Sequence, residues 1–153
     1  MSDDLRELYQ EVILQHGRTP KNFRAIEDAD RTIEAYNPLC GDHFTVYLKM
    51  DPDDPERIAD VGFTGAGCAI STASASMMSE FLRGHTRAEA ARLFEAFQRL
   101  VRGDCPGADA VNVGKLKVFG GVREYPARVK CAILAWHAAK AALEGEAETI
   151  STE

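Results

Sequence analysis

One stretch decides the fold of this 153-residue chain, because the hydrophobic period changes within it: Val61-Gly62-Phe63-Thr64-Gly65-Ala66-Gly67-Cys68-Ala69-Ile70-Ser71. Residues 57–64 have the composition of a strand. Beyond the glycines, the spacing of apolar and small residues predicts a helix from about Cys68 to Leu82, which ends at Arg83-Gly84. The chain therefore changes from sheet to helix at Gly65-Ala66-Gly67.

Two further strands are predicted upstream of this change. Residues 32–36 form a plausible short strand, and residues 43–50 alternate between polar and apolar side chains, as in a half-buried strand. The run Asp51-Pro52-Asp53-Asp54-Pro55 can only be a turn. We expect a small antiparallel sheet of three strands.

Helices are expected on both sides of the strands. Five segments are predicted, with approximate bounds of 3–16, 68–82, 86–102, 113–119 and 126–143. Thr86 with Glu89 has the form of a capping box, and Pro126 suits a first helical turn. The order helix, strands, helices predicts an α+β fold in a single domain over residues 1–145, followed by a frayed tail over 146–153.

The bulk composition excludes some functions. A net charge of -6 and a pI near 5.3 argue against sequence-independent binding of nucleic acid, which needs clustered Lys and Arg. The sequence has no secretory leader pattern and no apolar run long enough for a membrane span. We expect a cytoplasmic protein, where four cysteines favour metal binding or thiol chemistry over stable disulfides.

Three cysteines and one aspartate are the candidate site residues. Cys40 and Asp42 lie in the turn between the first two strands, where Pro38 and Gly41 allow a tight bend that would expose both side chains. Cys68 begins a helix directly behind two glycines, and the partial positive charge of a helix N-terminus favours a thiolate.

The third cysteine of this set, Cys131, falls in the second turn of the last helix, and Arg128 lies three residues before it on the same face. Three thiolates and one carboxylate would suit tetrahedral Zn²⁺, although mononuclear iron or an iron–sulfur cluster is also chemically allowed. The spacing of the cysteines is weak support by itself, because buried cysteines often act as small hydrophobes.

The fourth cysteine, the histidines and two of the methionines are not assigned to the candidate site. Cys105 is interpreted as an incidental loop thiol, and none of the four histidines is assigned as a ligand. Met77 and Met78 lie among small residues, so they are interpreted as packing residues of a helix that closely approaches a neighbour.

Three motifs carry a family resemblance: Asn37-Pro38-Leu39-Cys40-Gly41-Asp42, Gly65-Ala66-Gly67-Cys68-Ala69-Ile70-Ser71 and Tyr125-Pro126-Ala127-Arg128-Val129-Lys130-Cys131-Ala132. With these motifs, the chain closely resembles the SufU proteins of the IscU-like superfamily over roughly residues 5–143. IscU scaffolds share the three cysteines but carry a histidine where this chain has Lys130, and a Leu-Pro-Pro-Val-Lys motif just upstream. They also lack the longer stretch that includes residues 103–121, so the resemblance favours the SufU branch.

The resemblance implies an IscU-like fold and a zinc site formed by Cys40, Asp42, Cys68 and Cys131. It implies a sulfurtransferase of iron–sulfur cluster assembly in which Cys40 accepts persulfide sulfur from a SufS-type cysteine desulfurase and passes it towards a downstream SUF scaffold complex. In this family a histidine of the desulfurase is expected to replace Cys40 on the zinc, and Arg128 lies beside the site. The alternative is a scaffold on which iron or a transient iron–sulfur cluster occupies the same ligands.

Overall fold

The computed structural model describes residues 3–38, 41–102, 116, 118–119, 122, 125–145 and 149–151, without the side chains of 3–9 and 149–151. Its elements follow the chain in this order: α1 (Asp3–Arg18), β1 (Arg31–Asn37), β2 (Asp42–Asp51), β3 (Asp54–Ala66), α2 (Ala69–Leu82), α3 (Arg87–Arg102), α4 (Pro126–Glu144) and β4 (Thr149–Ser151). The predicted α+β order is confirmed. None of these helices is both long and apolar enough to cross a membrane.

The sheet has the strand order β3-β2-β1-β4. The first three strands are antiparallel, as predicted, and β1 faces β2 in a register that pairs Asn37 with Asp42. Apolar residues alternate along the inner face of the sheet, including Ile33 and Ala35 on β1 and Phe44, Val46 and Leu48 on β2. The last residue of β1, Asn37, therefore lies beside the first residue of β2, Asp42.

Helices α2 and α4 cover the inner face of the sheet, α1 packs against α2, and α3 packs against α4. Small side chains let α2 approach its neighbours closely, and Met77 and Met78 are both buried there, as expected. Ser74 of α2 donates a hydrogen bond to the carbonyl of Ala132, and the indole Nε1 of Trp136 donates to the Ser74 hydroxyl at 3.2 Å. Two buried helices are thus joined by polar contacts as well as by packing.

The capping box of α3 is confirmed. The Glu89 backbone N–H donates to the Thr86 hydroxyl at 3.2 Å, and the Glu89 carboxylate accepts from the Thr86 backbone N–H at 2.9 Å. These bonds satisfy donors that a helix start leaves unpaired. Hydrogen bonding from Thr86, above all from its backbone N–H, also lowers the pKa of the Glu89 carboxyl.

Two expectations need correction. The described residues contain four helices rather than about five, because the expected segment 113–119 is described only at Leu116, Val118 and Phe119, which add apolar side chains to the core. These three residues are in 3₁₀ conformation, and the rest of that segment lies outside the described residues. The tail predicted to be frayed contains β4, which pairs in parallel with residues 34–36 of β1. Its backbone groups find partners at an otherwise open sheet edge.

Candidate metal centre

The candidate metal centre lies where three elements meet. Asp42 is the first residue of β2, Cys68 is the N-cap of α2, and Cys131 lies in the second turn of α4. A carboxylate oxygen of Asp42 and the two sulfur atoms all lie within 4.8 Å of one another. Ligand atoms on a tetrahedral zinc ion are about 3.5–3.8 Å apart, so small side-chain rotations would bring these three donors into place.

The glycine corner between β3 and α2 allows this approach. Gly65 has a φ of +122°, which L-amino acids with side chains rarely adopt. A Cβ atom on Gly67 would lie 2.6 Å from Asp42 Oδ1 and 2.8 Å from the Phe44 ring. The strand-to-helix change therefore needs glycine at both positions, and the reason at Gly67 is the space that Asp42 occupies.

Asp42 is buried, with 2% of its surface exposed, whereas the sequence led us to expect an exposed turn residue. The reason is a set of donors around its carboxylate. The Cys68 backbone N–H donates to Oδ1 at 2.8 Å, the Ser71 hydroxyl donates to Oδ2 at 2.6 Å, and the Asn37 side-chain amide donates to Oδ2 at 3.4 Å. Hydrogen bonds of this kind offset the cost of removing a carboxylate from water.

Cys68 has a thiol whose pKa is lowered from 9.0 to about 5. The main cause is a hydrogen bond from the Cys131 thiol, and the Ser71 backbone N–H at the start of α2 adds a second one to the Cys68 sulfur at 3.4 Å. Burial and the charge of Asp42 act in the opposite direction. The structure therefore favours a thiolate on Cys68.

Cys131 is fully buried, unlike the half-buried Cys68. The side-chain amide of Asn37 donates to its sulfur at 3.3 Å, although the two residues are 94 positions apart in the chain. The Ser71 hydroxyl also lies 3.2 Å from the Cys131 carbonyl oxygen. Both contacts tie α4 to the hairpin and to the first turn of α2.

The remaining candidate residues stand as follows. Cys40 and Cys105 lie outside the described residues. Arg128 is exposed in the first turn of α4, and its role beside the site stays a prediction. Asn37 and Ser71 contact the candidate ligands but were given no role in the sequence analysis. The only sequence signal was their position inside the two motifs that contain Cys40 and Cys68.

The fold and the candidate site define a class of small α+β protein in which two cysteines and an aspartate from three elements lie close together. Comparison with known protein families identifies that class, because residues 8–145 match the family model described as the NifU-like N terminal domain. This protein belongs to that family.

Individual relatives narrow the relationship. The chain is 36% identical over 135 residues to the zinc-dependent sulfurtransferase SufU of Bacillus subtilis, covering 88% of each chain. It is 35% identical over 143 residues to the iron-sulfur cluster assembly scaffold protein IscU of Streptococcus pyogenes, covering 94% of this chain and 87% of that protein. The resemblance to SufU is thus confirmed, and proteins named IscU are equally similar.

A solved structure supports the same relationship. The crystal structure of a putative iron-sulfur cluster assembly scaffold protein for the SUF system from Fervidobacterium islandicum superposes with a TM-score of 0.80 at 35% identity. The superposition covers 90% of this chain and 98% of that one. The described α+β core is therefore the fold of this family.

Proposed function

We propose that this protein is a zinc-dependent sulfurtransferase of iron–sulfur cluster assembly. In this proposal it works in the cytoplasm with a SufS-type cysteine desulfurase, takes sulfur onto Cys40 and delivers it to a downstream SUF scaffold complex. The observation that supports it most directly is the meeting of Asp42, Cys68 and Cys131 within 4.8 Å, although they come from three separate elements.

The donor set fits zinc. Two sulfurs and one carboxylate oxygen are ligands that Zn²⁺ accepts, and Cys40 would complete a tetrahedral set. Cys40 is two residues before Asp42 in the chain, so chain geometry limits their Cα atoms to about 7 Å apart. A bound zinc ion would keep its thiolate ligands deprotonated at neutral pH and join the three elements.

The sulfur-transfer step needs no external oxidant or reductant. The Cys40 thiolate attacks the terminal sulfur of a cysteine persulfide on the desulfurase, and a new S–S bond forms as the old one breaks. The electron pair of the broken bond stays on the partner's cysteine, which leaves as a thiolate. Asp42, Cys68 and Cys131 would stay in place during this exchange, because Asp42 begins a strand, Cys68 caps a helix and Cys131 is buried within a helix.

The test is to locate the transferred sulfur. The protein is incubated with a SufS-type desulfurase and cysteine, alkylated, digested and examined by mass spectrometry. We expect the added sulfur on the peptide that contains Cys40, no sulfur acceptance by Cys40→Ala, and normal acceptance by the control Cys105→Ala. Sulfur found chiefly on Cys105 would refute the assignment.

The second candidate function is a scaffold for cluster assembly, with iron or a transient iron–sulfur cluster on the same ligands. It is favoured by the relatives that carry the name IscU, such as the Streptococcus pyogenes protein. Lys130 argues against this function, because the IscU scaffolds that this chain resembles have a histidine at that position. Metal analysis of protein purified without added metal distinguishes the two functions. Stoichiometric zinc in a colourless solution supports sulfur transfer, whereas a brown protein that contains iron supports scaffolding.

A further inference from the structure

Asn37 is a buried polar residue that contacts two of the three described donors. It ends β1, pairs with Asp42 across the hairpin, and has none of its surface exposed. Its single side-chain nitrogen lies 3.4 Å from Asp42 Oδ2 and 3.3 Å from Cys131 Sγ. One amide thus bridges a ligand on β2 and a ligand on α4.

The orientation of this amide follows from the charges around it. If the amide were turned over, its oxygen would face a carboxylate oxygen and a sulfur, which are both acceptors. The donor end must therefore face the site. In this orientation the Asn37 Oδ1 atom is buried and has no hydrogen-bond partner among the described residues.

Among the described residues, the hydrogen bonds of this side chain are all made by its nitrogen, and both go to proposed ligands. The backbone ladder between β1 and β2 already holds the hairpin together at Asn37 and Asp42. The side-chain amide is therefore surplus to the sheet, and its contacts are with the site.

We propose that Asn37 is a positioning residue of the metal centre. This inference rests on the proposed metal site and deepens it. The two N–H groups of the amide fix the Asp42 carboxylate relative to the Cys131 sulfur, and the N–H···S bond draws negative charge away from that sulfur. Groups that orient ligands in this way commonly change metal affinity by about 10- to 100-fold.

The experiment compares Asn37→Ala and Asn37→Leu with the parent protein. Both variants remove the N–H donors, but leucine keeps the same branched arrangement of side-chain heavy atoms, so it separates the hydrogen bonds from the loss of packing in the alanine variant. Ser74→Ala is the matched control, because it removes a polar contact between α2 and α4 beside Ala132 without touching a proposed ligand. Zinc affinity is measured by competition with a chromophoric chelator, and the absorption spectrum is recorded after replacing zinc with Co²⁺.

We expect both Asn37 variants to bind zinc about 10- to 100-fold more weakly than the parent. We also expect the sulfur-to-cobalt charge-transfer band to move to longer wavelength, because a sulfur without its N–H donor gives up an electron more easily. Ser74→Ala should lose thermal stability while keeping the parent's zinc affinity and band position.

Several outcomes would overturn the inference. Parent-like affinity and spectrum in Asn37→Leu would show that the shape of the side chain, and not its N–H donors, matters at this position. Failure of both variants to fold at saturating zinc would make Asn37 a folding residue. A parent protein that binds no zinc would refute the proposed metal site itself, whereas a zinc-binding parent with unchanged Asn37 variants would refute only the role of Asn37.

Discussion

Asp42 shows how single residues shape the candidate metal site. Its carboxylate is buried, yet three donors from two segments, the end of β1 and the start of α2, hold it, and the missing side chain of Gly67 leaves the space for it. Each of these groups has only one good position, because the neighbouring backbone is part of a strand or a helix start. The donors therefore approach ligand geometry through the packing of the chain.

A first prediction concerns the Cys68 thiol in metal-free protein. Because its pKa is about 5, the rate of its alkylation by iodoacetamide should level off near pH 6, whereas an ordinary thiol reacts faster up to about pH 9. The measurement is peptide-resolved mass spectrometry across this range. In Cys131→Ala, which has no side-chain donor, the levelling-off should move to higher pH, since the hydrogen bond from Cys131 is the main cause of the shift. A Cys68 rate that still rises steeply above pH 8 in the parent would contradict the prediction.

The same lowered pKa affects folding stability. The folded protein holds the Cys68 thiolate more readily than the unfolded chain does, so this group stabilises the metal-free fold fully above pH 9. That contribution is lost as the pH falls towards 5. The measurement is urea unfolding of the parent and of Cys68→Ser at pH 6 and at pH 9, in the presence of a chelator. Between pH 6 and pH 9, the free energy of unfolding of the parent should rise relative to that of the variant.

A second prediction at the residue scale concerns Arg128. Its guanidinium belongs to the first turn of α4, one turn before Cys131, and could attract a thiolate or persulfide anion. Arg128→Ala should keep the fold and the zinc but lower kcat/KM for sulfur acceptance about five-fold, as expected for an exposed charge. Arg92→Ala, an exposed arginine of α3, is the control. Equal turnover by the Arg128 variant and the parent would show that this arginine is only a solvated surface residue.

At the scale of elements, α2 is a helix with almost no free face. Nine of its fourteen residues are buried, and four of those nine are serines. Ser71 donates to Asp42 of the candidate metal centre, Ser74 contacts α4, and Ser76 accepts from the Lys21 backbone N–H at 2.8 Å. These short hydroxyls let neighbouring chains come close while pairing their polar groups, so the helix holds the Cys68 end of the site firmly.

The start of α3 provides a third prediction. Thr86→Ala removes the side-chain acceptor of the capping box and should lower the free energy of unfolding by about 1 kcal/mol. Urea unfolding at neutral pH measures this change. Glu95→Ala, at an exposed position of the same helix, should stay within about 0.5 kcal/mol of the parent. A comparable loss in both variants would mean that the box contributes nothing beyond helix propensity.

A fourth prediction concerns β4, which covers the edge of β1. Truncation after Gly145 should lower the free energy of unfolding by about 1 kcal/mol, since a few backbone hydrogen bonds are lost. It should also promote self-association, because unpaired strand edges bind other chains. Thermal melts and sedimentation velocity measure the two effects, with truncation after Ser151 as the control that keeps β4. A monomer as stable as the parent would contradict a structural role for this strand.

At the scale of the whole molecule, the site joins elements that lie far apart in the chain. A zinc ion held by them should stabilise the fold by about 2.7 kcal/mol when free zinc is 100 times its Kd. Cys68→Ser and Cys131→Ser should therefore bind much less zinc and melt about 5–10 °C lower than the zinc-loaded parent. Metal content and melting curves are the measurements, and Cys105→Ser is the control. Full zinc content and an unchanged melting curve in either ligand variant would show that the ligand set is wrong.

Local sequence patterns predicted the elements of this fold but not all of their contacts. Alternation along β2, the glycines before α2 and the Thr86 capping box are short-range signals, and the structure contains each of them. The burial of Asp42, the contacts of Asn37 and the pairing of β4 depend on partners far along the chain. A three-residue strand is also too short to show a period, and hydrogen bonds that span 94 residues leave no local pattern.

The distance of Cys131 from the other donors along the chain has a consequence for protein synthesis. Residues 42 and 68 leave the ribosome well before residue 131 of 153 has been added. An incomplete chain has at most part of its ligand set, and the buried surroundings of the site need α4 in place. In the proposed function, an ion can meet all three described donors only after residue 131 has been added and α4 has packed. Metal supply would therefore act on chains that already contain α4, and the ion would give no help in folding the segments that are made before it.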